Sequence, residues 1–291
     1  MLEKQTSSFL ARTGILLLLL LILFWNVLFK MVDEWFRLEE MGHGVFVPFV
    51  AGWVIWSQRE KLAQIPIRPS WTGWLVLALA FAQMMIAELG AEYFLARSAF
   101  ILALMGIVLL TAGTAMLRAL AFPFFLLCFM VRWPTILYTR ITFPLQMLAS
   151  QLAEVGLELV GIPVLRDGNV LELPSQKLSV VEACSGIRSL LSLTFLSLIY
   201  GYLFDKRMWM RIVLFLSTIP IAIAANAFRV TMTGIMSEYK REWSEGVYHS
   251  MEGWVIFMVA LVILGSLHRI LDLISRPRKS TPKTPLPLET S

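Results

Sequence analysis

The sequence predicts an all-α membrane protein that crosses the bilayer about eight times. Of its 291 residues, 58% are hydrophobic and only 15% are charged, whereas soluble domains carry roughly 25% charged residues. The apolar residues are gathered in runs whose lengths are close to the roughly 20 residues that a helix needs to cross a bilayer. In such a protein the net charge of +5 reports membrane topology, and it does not indicate a nucleic-acid partner.

The hydropathy pattern predicts the bounds of eight membrane-spanning helices. The first apolar run is too long for the core of a cleaved signal peptide, so it is predicted to be a retained span. The fourth and fifth runs are the least distinct, because only a dipeptide separates them. The predicted spans are residues 12–30, 43–58, 71–88, 98–117, 119–133, 186–204, 208–228 and 249–267.

The charges of the connections predict the orientation of these spans. Connections rich in Lys and Arg remain cytoplasmic, and "SQREKLAQIPIRPS" and "DKRMWMR" are of this kind, whereas "VDEWFRLEEMG" is acidic. Both termini are therefore predicted to be cytoplasmic. Residues 1–275 are predicted to form a single membrane domain. Residues 276–291, which are rich in Pro, Ser, Thr and Lys, are predicted to be a disordered tail.

Residues 134–184 are predicted to be the one sizeable extracytoplasmic segment. Their first half predicts an amphipathic helix that either lies on the outer membrane surface or packs against the helix bundle, and Pro144 either kinks this helix or marks its start. The second half predicts a β-hairpin turning at Asp167-Gly168, followed by a strand-like run that leads to Cys184. The apolar positions of the amphipathic helix are Ile141, Leu145, Leu148, Leu152, Val155 and Leu159.

Cys184 lies in the string "VVEACSGIRSLL", where the strand-like run meets the sixth span. A thiol at a helix N-terminus is more readily ionised, because the free N–H groups and the helix dipole favour the thiolate. Arg188 follows one turn later on the same helix face, and Glu182 precedes the cysteine. Since small buried cysteines are common, these residues leave a structural role for Cys184 open. Cys128, in "FFLLCFMV", is predicted to be structural, and a disulfide between the two cysteines also stays open.

Further polar residues fall on the same predicted side of the membrane. Asn226 and Arg229 share a helix face near the outer end of the seventh span, where a charge either faces the bundle or extends to the interface. His249 opens the eighth span, where a helix N-terminus favours a neutral ring that can act as a base; an interfacial histidine is the alternative. His43 also faces outward, whereas His268 faces the cytoplasm and cannot join the same site.

A thiol, an arginine and a histidine are the groups that acyl transfer needs as nucleophile, charge stabiliser and proton carrier. Two cysteines, three histidines and the absence of an HExxH or glycine-rich phosphate motif predict no metal and no cofactor. A membrane acyltransferase, a transporter and a non-catalytic membrane scaffold are the alternatives. A transporter predicts an internal repeat, which the sequence lacks, and a scaffold predicts that Cys184 tolerates replacement.

The strings "EACSGIRSL" and "NAFRV", with a histidine at the start of the last span, resemble the exosortase family of bacterial membrane proteins and its archaeosortase relatives. "GIPVLRDGNVLEL" and "HGVFVPFV" are also similar, and the resemblance covers about residues 40–265. It implies a thiol protease or transpeptidase that cleaves a C-terminal PEP-CTERM sorting signal of exported proteins at the periplasmic surface of the inner membrane. The acyl acceptor is unknown, and the product would serve surface display or exopolysaccharide systems. The catalytic residues that the resemblance implies are Cys184, Arg229 and His249. The predicted supporting residues are Arg188, Glu182, Asn226 and His43.

Overall fold

The computed structural model describes residues 2–90, 92–180, 187–239 and 247–275, which are mostly helical. Two 3-10 helices, Glu39–Val45 and Cys128–Met130, connect longer elements. The described β structure is one antiparallel sheet in the order β1–β2–β3. The helices are α1 (Leu2–Leu23), α2 (Trp25–Arg37), α3 (Phe46–Ser57), α4 (Arg59–Ala63), α5 (Thr72–Gly90), α6 (Tyr93–Thr111), α7 (Thr114–Ala119), α8 (Ala121–Leu127), α9 (Thr135–Leu159), α10 (Ile187–Phe204), α11 (Met208–Tyr239) and α12 (Val247–Ser275). The strands are β1 (Leu165–Asp167), β2 (Val170–Glu172) and β3 (Lys177–Ser179).

The described helices confirm a helical membrane protein. Four of them are long and apolar enough to cross a bilayer: α5, α6, α11 and the part of α12 from Trp254 onward. The number rises to six if each of two bent pairs forms one span. In these pairs α1 meets α2 at 69°, and α8 with the following 3-10 turn meets α9 at 84°. The arrangement with eight spans stays a prediction.

The fourth predicted span, 98–117, has the wrong bounds, because α6 begins at Tyr93. The Glu92 carboxylate caps this helix by accepting hydrogen bonds from the Phe94 and Leu95 N–H groups, which satisfies donors that have no partner within the helix. Hydropathy excluded the first turns because they contain Arg97. That side chain is only 3% exposed and pairs with Glu34 at 2.6 Å, so it lies inside the bundle.

The α6 helix ends at Thr111 because the chain turns at Gly113. Gly113 adopts φ +91°, a conformation that favours glycine at helix ends. A Cβ at this position would lie 1.8 Å from the Arg68 carbonyl oxygen. The fifth predicted span, 119–133, is accordingly wrong as one continuous helix, because the described chain there forms the end of α7, α8 and a short 3-10 turn.

The predicted amphipathic helix is α9, and Pro144 lies inside it rather than at its start. The helix packs against the bundle, which is one of the two predicted alternatives, and runs in the same direction as α11. A Cβ on Gly156 would lie 2.8 Å from Thr231 Oγ1, and a Cβ on Gly234 would lie 3.0 Å from Leu157. Small residues therefore allow the two helices to approach closely, as is common in membrane proteins.

The face that α9 buries is not its leucine-rich face. Gln146, Ser150 and Ala153 are buried, whereas Leu148 and Leu152 are 40% and 46% exposed. The α9 helix is therefore amphipathic, and the exposed members of its apolar face, Leu148, Leu152, Val155 and Leu159, point away from α11.

The predicted hairpin is formed by β1 and β2, with Asp167 opposite Val170. Its two-residue turn is Gly168-Asn169, one residue later than predicted, because Gly168 takes the positive φ of 62°. The strand-like run before Cys184 is β3, which pairs antiparallel with β2. Residues 146–180 and 230–239 together form a small unit that we call the cap.

The cap has an apolar core of its own. Leu171 and Val180 are fully buried and pack with Leu157 of α9 and Val230 of α11. Polar contacts fasten the edges of this core: Arg166 pairs with Glu154 at 2.6 Å, Ser150 Oγ donates to the Gly168 carbonyl at 3.1 Å, and Ser175 Oγ donates to Glu238 at 2.6 Å. Val180, from which the chain continues toward Cys184, is therefore packed against α11.

A polar network ties α10, α11 and α12 together at the end of the bundle away from the cap. Arg207 donates to Asp205 at 2.6 Å and to Asp272 at 2.7 Å. His268 Nε2 lies 3.2 Å from Asp205, and its Nδ1 lies 2.9 Å from the Tyr200 hydroxyl. The Arg207 side chain holds the pKa of Asp205 well below its usual range. The stabilisation that ionised Asp205 gives to the folded protein is therefore fully present above the ordinary Asp pKa of about 4. It declines as the pH falls from there toward the lowered pKa of the folded state.

Asp205→Asn is expected to lower the thermal midpoint of the detergent-solubilised protein by about 5–10 °C, because it leaves the partners of a buried ion pair uncompensated. The matched control is Asp33→Asn, since Asp33 pairs with Arg37 at an exposed position and such pairs contribute little. Thermal unfolding followed by tryptophan fluorescence measures both variants. Equal midpoints for the two variants would contradict the structural role given to the network.

Candidate active site

One end of the helix bundle bears the cap. At this end lie the first turn of α10, the first turn of α12 and the part of α11 that precedes the cap. The contacts of Asp205 and His268 fix the opposite ends of these helices. At 1.5 Å per residue, Arg188 is then about 26 Å from Asp205 along α10, and the His249 backbone is about 28 Å from His268 along α12. The predicted site residues on the described helices therefore share one end, and His268 is at the other, as predicted.

The length of α11 indicates the depth of this site. Its 32 residues extend for about 48 Å, whereas the hydrocarbon core of a bilayer is about 30 Å thick. A span that begins near Met208 therefore ends near residue 228. Arg229 follows at once, and the charged cap packs on the rest of the helix. This length predicts that the arginine lies where the hydrocarbon ends and the cap begins.

Arg188 and Arg229 come together at this level. The two guanidinium groups are close enough for the charge of Arg229 to act on Arg188. Both side chains are partly buried, with the Nε atom of each in the interior, and each takes part in further interactions. Two neighbouring cations in a partly buried setting attract an anion strongly, because screening by water is weak there. The pair therefore suits a thiolate, a carboxylate or an oxyanion.

Asn226 is buried one turn before Arg229, as its place on the same helix face predicts. It lies at the end of a narrow apolar cleft between α9, α10 and α11. Its other lining residues are Leu145, Leu190, Ile219, Ala222 and Ile223.

Cys184 and Glu182 lie outside the described residues, and His249 is described only as part of the backbone of α12. Cys128 lies at the start of the second 3-10 helix, where it is exposed and carries a free thiol. This exposed thiol makes Cys128 a natural control.

His43 lies apart from the two arginines. Its Nε2 is 3.2 Å from the Phe129 carbonyl oxygen, and its ring packs against Phe195 with a centroid separation of 6.2 Å. Phe195 lies two turns beyond Arg188 on α10. Among the described contacts, His43 therefore joins the first 3-10 helix to α10 and does not reach Arg229.

The sequence analysis did not predict the polar contacts that stabilise the cap. Glu238 accepts hydrogen bonds from Ser175, which is 63 residues away, and no local pattern marks such a pair. Arg166 and Glu154 are 12 residues apart on different elements, so helix spacing does not connect them. Among the described residues, no group of three or more His, Cys, Asp or Glu side chains has an arrangement suited to a metal ion.

Comparison with protein families agrees with this architecture. Residues 35–266 match the family described as transmembrane exosortase. The chain belongs to the exosortase family. The match spans well over half of the chain and includes α3 to α11, the cap and most of α12. No match was found among curated proteins or among solved structures. Exosortases as a family are membrane transpeptidases or proteases that act on signal-bearing proteins.

Proposed function

We propose that this exosortase is a thiol protease or transpeptidase that cleaves a PEP-CTERM-like C-terminal sorting signal of exported proteins. The observation that carries the proposal is that Arg188 and Arg229 lie near enough for their charges to interact. A substrate whose scissile bond emerges directly from a transmembrane helix would present its carbonyl at this depth.

Chain connectivity supports Cys184 as the nucleophile. Cys184 is four residues from Val180, in the core of the cap, and four residues from Arg188. Four residues of chain extend at most about 14 Å, so the thiol cannot be far from the arginine pair. A neighbouring cation favours the thiolate, which is the reactive form of cysteine. Glu182 is close enough in sequence to moderate the charge of the two arginines.

The proposed reaction has two steps. In the first, the Cys184 thiolate attacks the carbonyl carbon of the scissile peptide, and Arg229, with Arg188 beside it, stabilises the oxyanion of the tetrahedral intermediate. The intermediate collapses as the C–N bond breaks, and protonated His249 gives its proton to the leaving amine. In the second, an acceptor amine or water attacks the thioester, passes a proton to His249 and releases Cys184 as thiolate.

The proposed orientation is that of a multi-pass protein of the bacterial inner membrane with both termini in the cytoplasm. The basic connections near Arg59 and Lys206 support it. The network at Asp205 would then lie on the cytoplasmic side, and the cap would lie in the periplasm. Exported proteins reach that side of the membrane before they are sorted, so the orientation agrees with the proposed substrate.

The test is co-expression of the protein with an exported reporter that ends in a short motif, one transmembrane helix and a basic tail. We expect a smaller reporter that has lost its helix, and mass spectrometry of its new C-terminus identifies the cleaved bond. Added hydroxylamine should yield a C-terminal hydroxamate, because it attacks a thioester. An intact reporter in the presence of well-expressed protein would contradict the proposal and favour a scaffold or a transporter.

A further inference from the structure

The strand that precedes the proposed nucleophile has one edge that β2 does not use. β3 is the last strand of the sheet in the order β1–β2–β3. An open strand edge offers unpaired backbone N–H and C=O groups. The chain passes from this strand to Cys184 within five residues of Ser179. The edge therefore lies next to the site at which a peptide must be held.

Two hydrogen bonds establish which residues of β3 face this edge. The Val180 N–H donates to the Asn169 carbonyl, and the Leu173 N–H donates to the Gln176 carbonyl. In an antiparallel pair, hydrogen-bonded residues alternate with residues whose N–H and C=O groups point the other way. Positions 176, 178 and 180 consequently bond to β2, so the backbone groups of Lys177 and Ser179 point to the outer edge. Within the described part of the chain, no backbone hydrogen bond occupies these groups.

The β3 strand is also anchored in the cap, so it can bind a further strand without moving. Leu178 and Val180 direct their side chains into the cap core and are 8% and 0% exposed. Lys177 is exposed and pairs across the strands with Glu172, and Ser179 is partly exposed. A strand that is anchored on one side and open on the other can accept an added strand without rearrangement, which is how many proteins bind extended peptides.

We propose that the segment before the scissile bond of the substrate adds to β3 as a parallel strand, bonded to the backbone of Lys177 and Ser179. This inference rests on the proposed function. The parallel direction follows from the order of parts: the chain runs from the cap through β3 to Cys184 and then enters the membrane as α10. A substrate runs likewise from its exported domain through the scissile bond into its transmembrane helix.

Disulfide cross-linking tests both the pairing and its direction. Ser179→Cys and Lys177→Cys are made in a background carrying Cys184→Ser and Cys128→Ser, so that the engineered thiol is the one cysteine present. The probe is the exported reporter described above, with single cysteines at successive positions before its transmembrane helix. We expect cross-linking to alternate, with every second position at least about fivefold stronger, because alternate side chains of a strand share a face.

The direction gives a second and sharper readout. When the engineered cysteine moves from residue 179 to 177, the strongest reporter position should move about two residues toward the reporter's N-terminus, since parallel strands advance together. Movement toward the C-terminus would overturn the parallel arrangement. The matched control is Leu165→Cys, on β1 at the other edge of the sheet, which is 66% exposed and should give no alternating pattern.

The design separates this inference from the function on which it rests. Lys177→Cys and Ser179→Cys should keep the thermal midpoint of the starting protein, because neither side chain belongs to the apolar core of the cap, and an unchanged midpoint shows that the variants fold. Cleavage that depends on Cys184, together with uniform or absent cross-links at 177 and 179, would overturn strand addition and leave the proposed function intact. Absence of cleavage by the unmodified protein would overturn both.

Discussion

Cys184→Ala is expected to reduce processing of the sorting-signal reporter by at least about a thousandfold, because the reaction loses its nucleophile. The change removes one sulfur atom three residues before α10 in the sequence, and it leaves the cap core and the network at Asp205 unaltered. Protein abundance and thermal midpoint should therefore stay close to those of the wild type. Reporter cleavage in cells, followed by immunoblotting at matched expression, measures the effect.

The matched control is Cys128→Ala. Its thiol is exposed and free at the end of α8, so its removal should leave processing within about twofold of the wild type. Cys184→Ser adds a further distinction, since a serine hydroxyl is far less ionised than a thiol and should be nearly as inactive as alanine. Processing by Cys184→Ala at the wild-type rate would contradict thiol catalysis, and the scaffold would become the preferred interpretation.

The sequence predicted the helical membrane fold and the cap because both depend on local signals. Long apolar runs predicted α5, α11 and α12, and the Gly168 turn between β-rich runs predicted the hairpin. These features follow from hydropathy and from backbone preferences that act within a few residues. The third strand of the sheet was also marked by its β-rich composition in "KLSVV".

Predictions failed where the burial of a residue depends on a partner that is distant in the sequence. Arg97 appeared to exclude its surroundings from a span, yet Glu34, 63 residues away, neutralises it inside the bundle. The leucines of α9 suggested a face for packing on protein or on the membrane, yet the close approach of Gly156 to Thr231 turns them outward. Hydropathy treats each residue alone, so it could not predict either outcome.

The sequence predicted which candidate residues share a helix face, but it did not predict the contacts between helices. Helix spacing placed Asn226 with Arg229, and both lie on the same part of α11. The proximity of Arg188 to Arg229 joins residues 41 positions apart, and only packing of α10 on α11 creates it. His43 belonged to the same predicted side of the membrane but makes its described contacts with Phe129 and Phe195.

Arg229→Ala is expected to shift the pH dependence of Cys184 alkylation upward by about one unit or more, because a neighbouring cation favours the thiolate. Without that charge a smaller fraction of the thiol is ionised at neutral pH. The labelling rate near pH 7 should therefore fall about tenfold, and its midpoint should approach the value of about 8.5 that is typical of an ordinary thiol. The measurement uses a membrane-impermeant maleimide on intact cells across a pH series, in a Cys128→Ala background.

Two further variants show which arginine acts and how. Arg188→Ala should shift the midpoint less than Arg229→Ala if Arg229 is the principal partner, and the reverse order would exchange their roles. Arg229→Lys keeps the charge but loses the planar array of donors, so it should nearly preserve the midpoint while it still lowers the rate of reporter processing. That result would separate activation of the thiol from stabilisation of the oxyanion. Rapid labelling that no arginine variant changes would contradict the electrostatic part of the mechanism, and no labelling from outside would contradict the proposed orientation.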